Sequence, residues 1–159
     1  KSDWSTGDPD FDRPLADRGR ASAQRVGIWM SEEGLLPDRV ISSPARRARD
    51  TAELACRMLE LKESRIHFDE RIYGGSIGEL LASLAEHASE AQQVLLVGHN
   101  PGLEELVEFL AQEPLAESED GKVLPTAALA VLRPLTDWQS LGRGSAKLIS
   151  LTRPGAMRR

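Results

Sequence analysis

The chain has 159 residues, of which 40% are hydrophobic and 28% charged, and this balance fits a single domain over residues 1–159 with a real core. Its net charge of -5 argues against nucleic-acid binding, which depends on a basic surface. No apolar run approaches the roughly 18 residues that cross a bilayer, the N-terminus carries no leader pattern, and the single cysteine, Cys56, cannot form an internal disulfide. We therefore expect a cytoplasmic protein with no membrane partner.

The first half of the chain alternates between helical and extended patterns. A helix is predicted over residues 17–33, with Gly34 as the residue after its cap. The β-branched segment "DRVISS" predicts a strand, and a second helix is expected to follow with Ser43 as N-cap and Pro44 at the first helical position. The segment "RIHFDE" predicts another strand.

The second half repeats this alternation and then changes. Ser76 and Glu79 have the spacing of a capping box that opens a third helix. The continuous apolar run "QVLLV" predicts a strand covered on both faces, and the apolar spacing after it predicts a fourth helix. Two further strands, "AALAVLRP" and "AKLISLTRP", are expected to pair antiparallel at one side of the sheet. The pattern predicts an α/β fold of three layers, with helices on both faces of a mostly parallel sheet.

Two strand-to-helix turns, over residues 42–47 and 98–101, lie at the sheet edge where α/β proteins bind ligands. Each turn leads into a helix N-terminus, whose free N–H groups and positive dipole end favour anions. This edge is therefore predicted to bind phosphate.

The first turn leads into a helix start that carries Arg46, Arg47 and Arg49. At about 100° per residue, Arg47 lies to one side of the apolar stripe and can lean over the sheet edge. We interpret Arg46 and Arg49 as solvent-facing. By itself the segment is equally compatible with an ordinary run of surface arginines, although a guanidinium is what phosphate recognition needs.

The second turn carries His99. Its segment alone is equally compatible with two interpretations: a neutral imidazole hydrogen-bonded to the backbone at a strand end, or a group of the phosphate site. Over a helix N-terminus its pKa is expected to fall unless an anion binds. His67 and His87 have no apparent companion and are interpreted as structural. Without an HxH, HExxH or CxxC pair, no metal ion or other cofactor is expected.

The segment "GGSIG" also matches the G-x-S-x-G elbow of serine hydrolases, which would make Ser76 a nucleophile. That family needs an acid and then a histidine later in the chain. Between Ser76 and His99 the acids are residues of a helix surface. Ser76 is better explained as the N-cap.

Taken together, these motifs resemble the histidine phosphatase superfamily, with its phosphoglycerate-mutase-like fold, and most closely its small phosphohistidine phosphatases of the SixA type. "SSPARRARDTAE" resembles its second arginine motif and "LLVGHNP" its second histidine motif. The resemblance implies phosphate-binding roles for Arg47, His99, Asn100 and Ser2. "DERIYGG" resembles the Asn-Glu-Arg-His-Tyr-Gly segment of phosphoglycerate mutases, which implies that Glu70 is the proton donor.

The resemblance also implies a nucleophilic histidine and a first arginine, which we expect just ahead of Lys1 on a central strand of the sheet. The expected reaction is metal-independent phosphoryl transfer through a phosphohistidine, with signalling proteins that carry phosphohistidine as the substrates. A small-molecule phosphomonoesterase of the same superfamily is the alternative. A non-catalytic phosphate-binding or phosphoprotein-binding module is a second alternative, which applies if the chain truly begins at Lys1.

Overall fold

The structure is a computed structural model that describes residues 10–115 and 128–153, together with residues 155 and 157. Four α-helices and five β-strands lie in this part of the chain, interspersed with short 3-10 helices. In chain order they are α1 (Asp17–Glu32), β1 (Arg39–Ser42), α2 (Arg46–Met58), β2 (Ile66–Phe68), α3 (Ile77–His87), β3 (Val94–Val97), α4 (Gly102–Leu110), β4 (Leu129–Pro134) and β5 (Ala146–Thr152).

β1 is the middle strand of a three-stranded parallel sheet with the order β2-β1-β3. Ser42, the last residue of β1, lies opposite Phe68 on one side and Val97 on the other. Because the three strands are parallel and in register, the residues that follow them emerge abreast at one sheet edge. This register brings the loops after β1, β2 and β3 together.

Successive residues of β1 face opposite helical layers. Val40 packs with Cys56 of α2 on one face, and Ile41 packs with Leu80 of α3 and Leu106 of α4 on the other. Burial of each large aliphatic side chain contributes about 1.5 to 3 kcal/mol. The predicted three-layer α/β/α arrangement around a parallel sheet is confirmed.

The antiparallel pair differs in its placement from the prediction. β4 and β5 pair antiparallel as predicted, with a register shift between Val131 and Leu132, but they form a two-stranded sheet of their own. In residues 10–115 and 128–153, a bridge between Ala111 and Ala146 links β5 to the segment after α4. The pair is thus joined to the segment after α4 and adds no strand to the parallel sheet.

An apolar cavity of about 500 Å³ lies between β3 and β4. Val94 and Leu96 pack on one helical layer while Leu95 and Val97 pack on the other, so β3 is covered on both faces as predicted. All four residues are nevertheless only partly buried. The second edge of β3 pairs with no other described strand and borders this cavity.

The ends of α1 and α3 agree closely with the sequence. α1 ends at Glu32, one residue earlier than predicted, and Gly34 adopts a left-handed φ of 73° behind it. The capping box at the start of α3 is present, since the Ser76 hydroxyl accepts from the N–H of Glu79 and the Glu79 carboxylate accepts from the N–H of Ser76. In the part of the chain that the structure describes, no helix is long and apolar enough to cross a membrane.

The predicted start of α2 is wrong. The helix begins at Arg46 behind Ala45, and no side chain caps it. Ser43 does not act as its N-cap and Pro44 is not its first residue, because the Ser43 hydroxyl accepts a hydrogen bond from the N–H of Ala45 at 3.1 Å. This local turn delays the helix and directs the hydroxyl to the sheet edge.

Candidate active site

Three loops meet at the carboxyl edge of the parallel sheet. The N–H of Ser43 donates to the Val97 carbonyl and the N–H of Asp69 donates to the Ser42 carbonyl, each at 3.0 Å, which extends the register past the ends of the strands. The β1 loop lies in the middle, with the β2 loop on one side and the β3 loop on the other. The candidate residues of all three loops therefore surround one edge.

His99 follows β3 and faces the β1 loop. Its Nε2 lies 2.8 Å from the Ser43 hydroxyl oxygen, and its ring packs edge-on against Tyr73 at 5.5 Å between centroids. Burial and the nearby charge of Arg47 lower its pKa to about 4, so His99 is neutral at pH 7. The predicted fall is confirmed, with burial as its largest cause and the Arg47 charge as the next.

Arg47, in the first turn of α2, turns inward from the helix surface. Its side chain is 16% exposed, whereas that of Arg46 is 58% exposed beside Asp50. Arg49 is also exposed and stacks over the Phe68 ring at 5.0 Å. These orientations agree with the sequence analysis. The phosphate-binding role of Arg47 remains a prediction.

Asp10 is the residue that Arg47 contacts. Nη1 of Arg47 donates to the Asp10 carbonyl at 2.7 Å, and Nη2 lies 3.2 Å from Oδ2 of the Asp10 carboxylate. The Tyr73 hydroxyl donates to the same Oδ2 at 2.5 Å, and the buried Arg13 guanidinium lies 2.9 Å from Oδ1. The Tyr73 hydrogen bond and the charge of Arg47 hold the pKa of Asp10 below its usual range, so its carboxylate is ionised at neutral pH.

Two aromatic rings lie around Asp10 and His99 in the site. Tyr73 packs edge-on against both His99 and Phe11, with the Phe11 ring 5.2 Å away. Phe11 is 38% exposed, so part of its ring faces solvent next to Asp10. Tyr73 thus contacts Phe11, Asp10 and His99.

Glu70 follows β2, which flanks β1 on the side opposite to β3 and His99. It is exposed and begins a short 3-10 helix, Glu70–Ile72, directly after β2. No hydrogen bond or ion pair joins its carboxylate to another residue in the described part of the chain. The structure therefore brings His99 and Arg47 together and leaves the Glu70 side chain exposed after β2.

Asn100 and Ser2 are the two other residues predicted to bind phosphate. Asn100 is exposed in the turn between His99 and α4. Ser2 lies outside the described residues.

A buried network under the Glu70 turn holds it in place. The Asp69 carboxylate accepts from the N–H and Nε of Arg71 at 2.9 and 3.0 Å and from the Ser83 hydroxyl at 2.7 Å. These hydrogen bonds, those of Arg71 above all, hold the pKa of Asp69 far below its usual range. The turn that carries Glu70 and Tyr73 is thereby fixed to α3.

His87 belongs to the same network. Its Nε2 lies 3.0 Å from Oδ2 of Asp69, and its ring is 5.5 Å from that of His67. The expectation that neither histidine has a companion is wrong. Their structural interpretation is compatible with these contacts, because His87 binds the Asp69 carboxylate and His67 packs against His87.

Asp10, Ser43 and Tyr73 are residues of the site that the sequence pattern does not predict. Ser43 has the pattern of a helix cap, and the motif "DERIYGG", which contains Tyr73, implies a role for Glu70 alone. Asp10 carries no local signal, because its contacts with Arg47 and Tyr73 span 37 and 63 residues. Within the described ranges, no cluster of three or more His, Cys, Asp or Glu residues is placed to hold a metal ion.

Comparison with known proteins decides the family. The model of the histidine phosphatase superfamily (branch 1) matches residues 1–80, half of the chain. The chain belongs to the histidine phosphatase superfamily. It is a phosphatase, and its three-layer fold is that of the superfamily.

The relatives of this histidine phosphatase include proteins without an assigned activity. An uncharacterised protein of Mycobacterium tuberculosis is 30% identical over 158 residues, and the match covers 97% of both chains. An uncharacterised protein of Mycobacterium leprae is 27% identical over 161 residues, with the same coverage. These relatives extend the similarity over nearly the whole chain.

Solved structures share the fold of this histidine phosphatase. A protein from Agrobacterium tumefaciens that bears the name of the phosphohistidine phosphatase SixA is 28% identical, with a TM-score of 0.75 over 97% of this chain and 93% of that one. The protein histidine phosphatase SixA in complex with tungstate superimposes with a TM-score of 0.80 at 23% identity, over 99% and 94% of the two chains.

Proposed function

We propose that this histidine phosphatase works without a metal, through a phosphohistidine intermediate, and that phosphohistidine on a protein is its substrate. The observation that carries the proposal is a neutral, partly buried His99 held next to the charged Arg47 at the carboxyl edge of the sheet. A phosphoryl group develops negative charge during its transfer. A permanent cation and positioned hydrogen-bond donors stabilise that charge.

Arg47 and His99 act on the equatorial oxygens of the transferring group. The Arg47 guanidinium neutralises their charge, and an arriving dianion favours protonation of His99, which then donates a charge-assisted hydrogen bond. Asn100 and Ser2 add hydrogen-bond donors in this proposal. The SixA structure with bound tungstate supports it, because tungstate is an oxyanion of similar shape to phosphate.

The attacking group, as the resemblance implies, is a neutral histidine ahead of Lys1. In the first step its nitrogen forms a bond to phosphorus while the bond to the leaving group breaks, and Glu70 gives the leaving group a proton. In the second step water attacks phosphorus, Glu70 accepts a proton from that water, and the histidine is released with inorganic phosphate.

The exposed position of Glu70 supports a substrate as large as a protein side chain, because a leaving group reaches this carboxylate from solvent. A phosphohistidine leaving group needs less acid assistance than an alkoxide. The solved structures named for SixA support the same substrate class. The alternative, a small phosphate ester, depends more strongly on Glu70.

Substitution of the two phosphate-binding residues tests the activity. In the full-length protein, Arg47→Ala and His99→Ala are each expected to lower turnover of a phosphorylated substrate by about 10² to 10³. Arg46→Ala, at an exposed residue of the same helix turn, is the matched control and keeps turnover. Full turnover in either site variant overturns the proposal, and phosphate binding without turnover in the wild type indicates a binding module.

Glu70→Gln separates the two substrate classes. We expect release of the leaving group in the first step to change little for a phosphohistidine peptide and to be lost for an alkyl phosphate, since only the alkoxide requires a proton from Glu70. Leaving-group release in a single turnover on each substrate isolates this step from the second, which is common to both. Equal losses on the two substrates argue against the phosphohistidine preference.

A further inference from the structure

Beside Arg47 the site holds a negative charge that phosphate binding does not explain. Asp10 contacts Arg47 through Oδ2, yet its side chain is 42% exposed and ionised at neutral pH. A carboxylate beside a phosphate-binding guanidinium opposes an incoming anion. Its presence therefore needs a role that offsets this repulsion.

Asp10 also retains capacity to bind a further group. Its Oδ2 accepts from Arg47 and Tyr73, while Oδ1 is paired with Arg13 within the described part of the chain. An ionised carboxylate has about four lone-pair sites. The exposed part of the Asp10 side chain can therefore accept another hydrogen bond from a donor group of a bound substrate.

From this geometry we infer that Asp10 determines specificity by the charge of the leaving group: it favours a cationic or N–H-bearing leaving group and disfavours one with its own carboxylate or phosphate. The inference rests on the proposed function and narrows its substrate class. A phosphorylated imidazole fits, because its second ring nitrogen carries a proton in the reactive form. A phosphorylated carboxylic acid such as a phosphoglycerate does not fit.

The chemistry of that choice is consistent with the proposed steps. When the second nitrogen of a phosphoimidazole is protonated, the P–N bond breaks with its electron pair moving to the ring, and the imidazole departs neutral. A hydrogen bond from that N–H to Asp10 stabilises the protonated form. No further proton is then required from Glu70.

Three aryl phosphates with matched phosphorus chemistry test this role in the full-length protein. We choose phenyl phosphates with a methyl, a carboxymethyl or an aminoethyl group in the para position, so that the reacting oxygen is nearly the same and the remote charge differs. At low ionic strength the wild type is expected to favour the cationic over the anionic substrate in kcat/KM by about tenfold or more, as a single charge a few ångströms away implies.

Asp10→Asn keeps the shape of the side chain and removes its charge. We expect this ratio to fall to within about twofold of unity, whatever the change in overall rate. Asp12→Asn, in the same 3-10 helix, is the matched control and keeps the ratio of the wild type. If Asp10 only positions Arg47, all three substrates lose rate equally and the ratio is unchanged, which overturns the inference.

A binding measurement keeps this test independent of turnover. Benzylphosphonates with the same three para groups cannot be hydrolysed, and calorimetry gives their affinities for the wild type and for both variants. The same charge preference, lost only in Asp10→Asn, supports the inference even if no aryl phosphate is hydrolysed. Absence of turnover on a phosphohistidine peptide would overturn the proposed function alone, whereas equal affinities for the charged phosphonates would overturn this inference alone.

Discussion

His99 depends on its surroundings for its charge. Buried beside Arg47, it binds a proton only near its depressed pKa of about 4, whereas an unfolded chain binds that proton near the ordinary value of about 6.5. Between these two values the unfolded state therefore binds more protons than the native state. The free energy of unfolding must fall as the pH is lowered through this range.

His99→Gln should reduce this acid sensitivity. We expect the loss of unfolding free energy between pH 7 and pH 4.5 to be smaller by about 1 to 2 kcal/mol in the variant than in the wild type. Urea denaturation at the two pH values gives the difference. His67→Gln, at an exposed histidine, is the control and should leave most of the loss; an unchanged loss in His99→Gln would show that His99 titrates normally.

At the scale of single residues, the sequence predicts the features that are encoded within one short stretch of chain. The inward orientation of Arg47 follows from helical geometry, because its neighbour Ala48 lies on the buried face of the helix. The contacts of Asp10 were beyond reach, since no periodicity links residues 37 and 63 positions apart. Ser43 was misassigned because a serine before proline has the pattern of a helix cap, and only tertiary structure shows its hydroxyl next to His99.

Among the elements, the connection between β2 and α3 has the tightest steric demand. A Cβ on Gly75 would lie 1.8 Å from the carbonyl oxygen of Arg71, far inside contact distance. The space is closed because the chain folds back on the short Glu70–Ile72 helix before α3 begins. The position of Tyr73 and Glu70 thus depends on glycine at this point.

Gly75→Ala is therefore expected to destabilise the protein by about 3 kcal/mol or more, since backbone rather than a flexible side chain must move. Gly78→Ala, in the first turn of α3 where the Cβ has room, should instead be neutral or stabilising by up to about 1 kcal/mol. Thermal melts of the two variants provide the measurement. Equal melting temperatures would contradict the described backbone of this loop.

The Asp69 network joins the same loop to α3. Asp69→Asn leaves the geometry but removes the charge that faces Arg71 and His87, and we expect a loss of about 2 to 4 kcal/mol in unfolding free energy. Ser83→Ala removes a single donor to the same carboxylate and should cost about 1 kcal/mol. If chemical denaturation shows no greater loss for Asp69→Asn, the network does not hold the turn.

The order and type of elements were accessible to sequence analysis because each is encoded within one stretch of chain. The capping box at Ser76 and the glycine at the end of α1 mark boundaries through local hydrogen bonds and backbone conformation. The pairing of β4 and β5 was also recognised, but their separation from the parallel sheet was not. Strand patterns show which face is apolar and carry no information about which edge finds a neighbour.

At the scale of the whole molecule, an apolar cavity of about 500 Å³ lies between the parallel sheet and the β4–β5 sheet. The carboxyl edge lies at the end of the parallel strands, and its loops come from three positions of the chain that only the folded sheet brings together. The proposed phosphate site therefore forms only in the native state. A ligand that binds there must stabilise the entire fold.

The rise in Tm on addition of tungstate measures this coupling between ligand binding and folding. At about 100 times its Kd, a ligand specific for the native state adds about 2.7 kcal/mol, which for a chain of this size raises Tm by about 5 to 10 °C. We expect this rise in the wild type and in Arg46→Ala, whose side chain faces solvent. Arg47→Ala and His99→Ala should lose most of it, because each removes a donor to the oxyanion while leaving the sheet intact. A full rise of Tm in Arg47→Ala would show that tungstate binds elsewhere on the molecule. The phosphate site would then lie elsewhere as well.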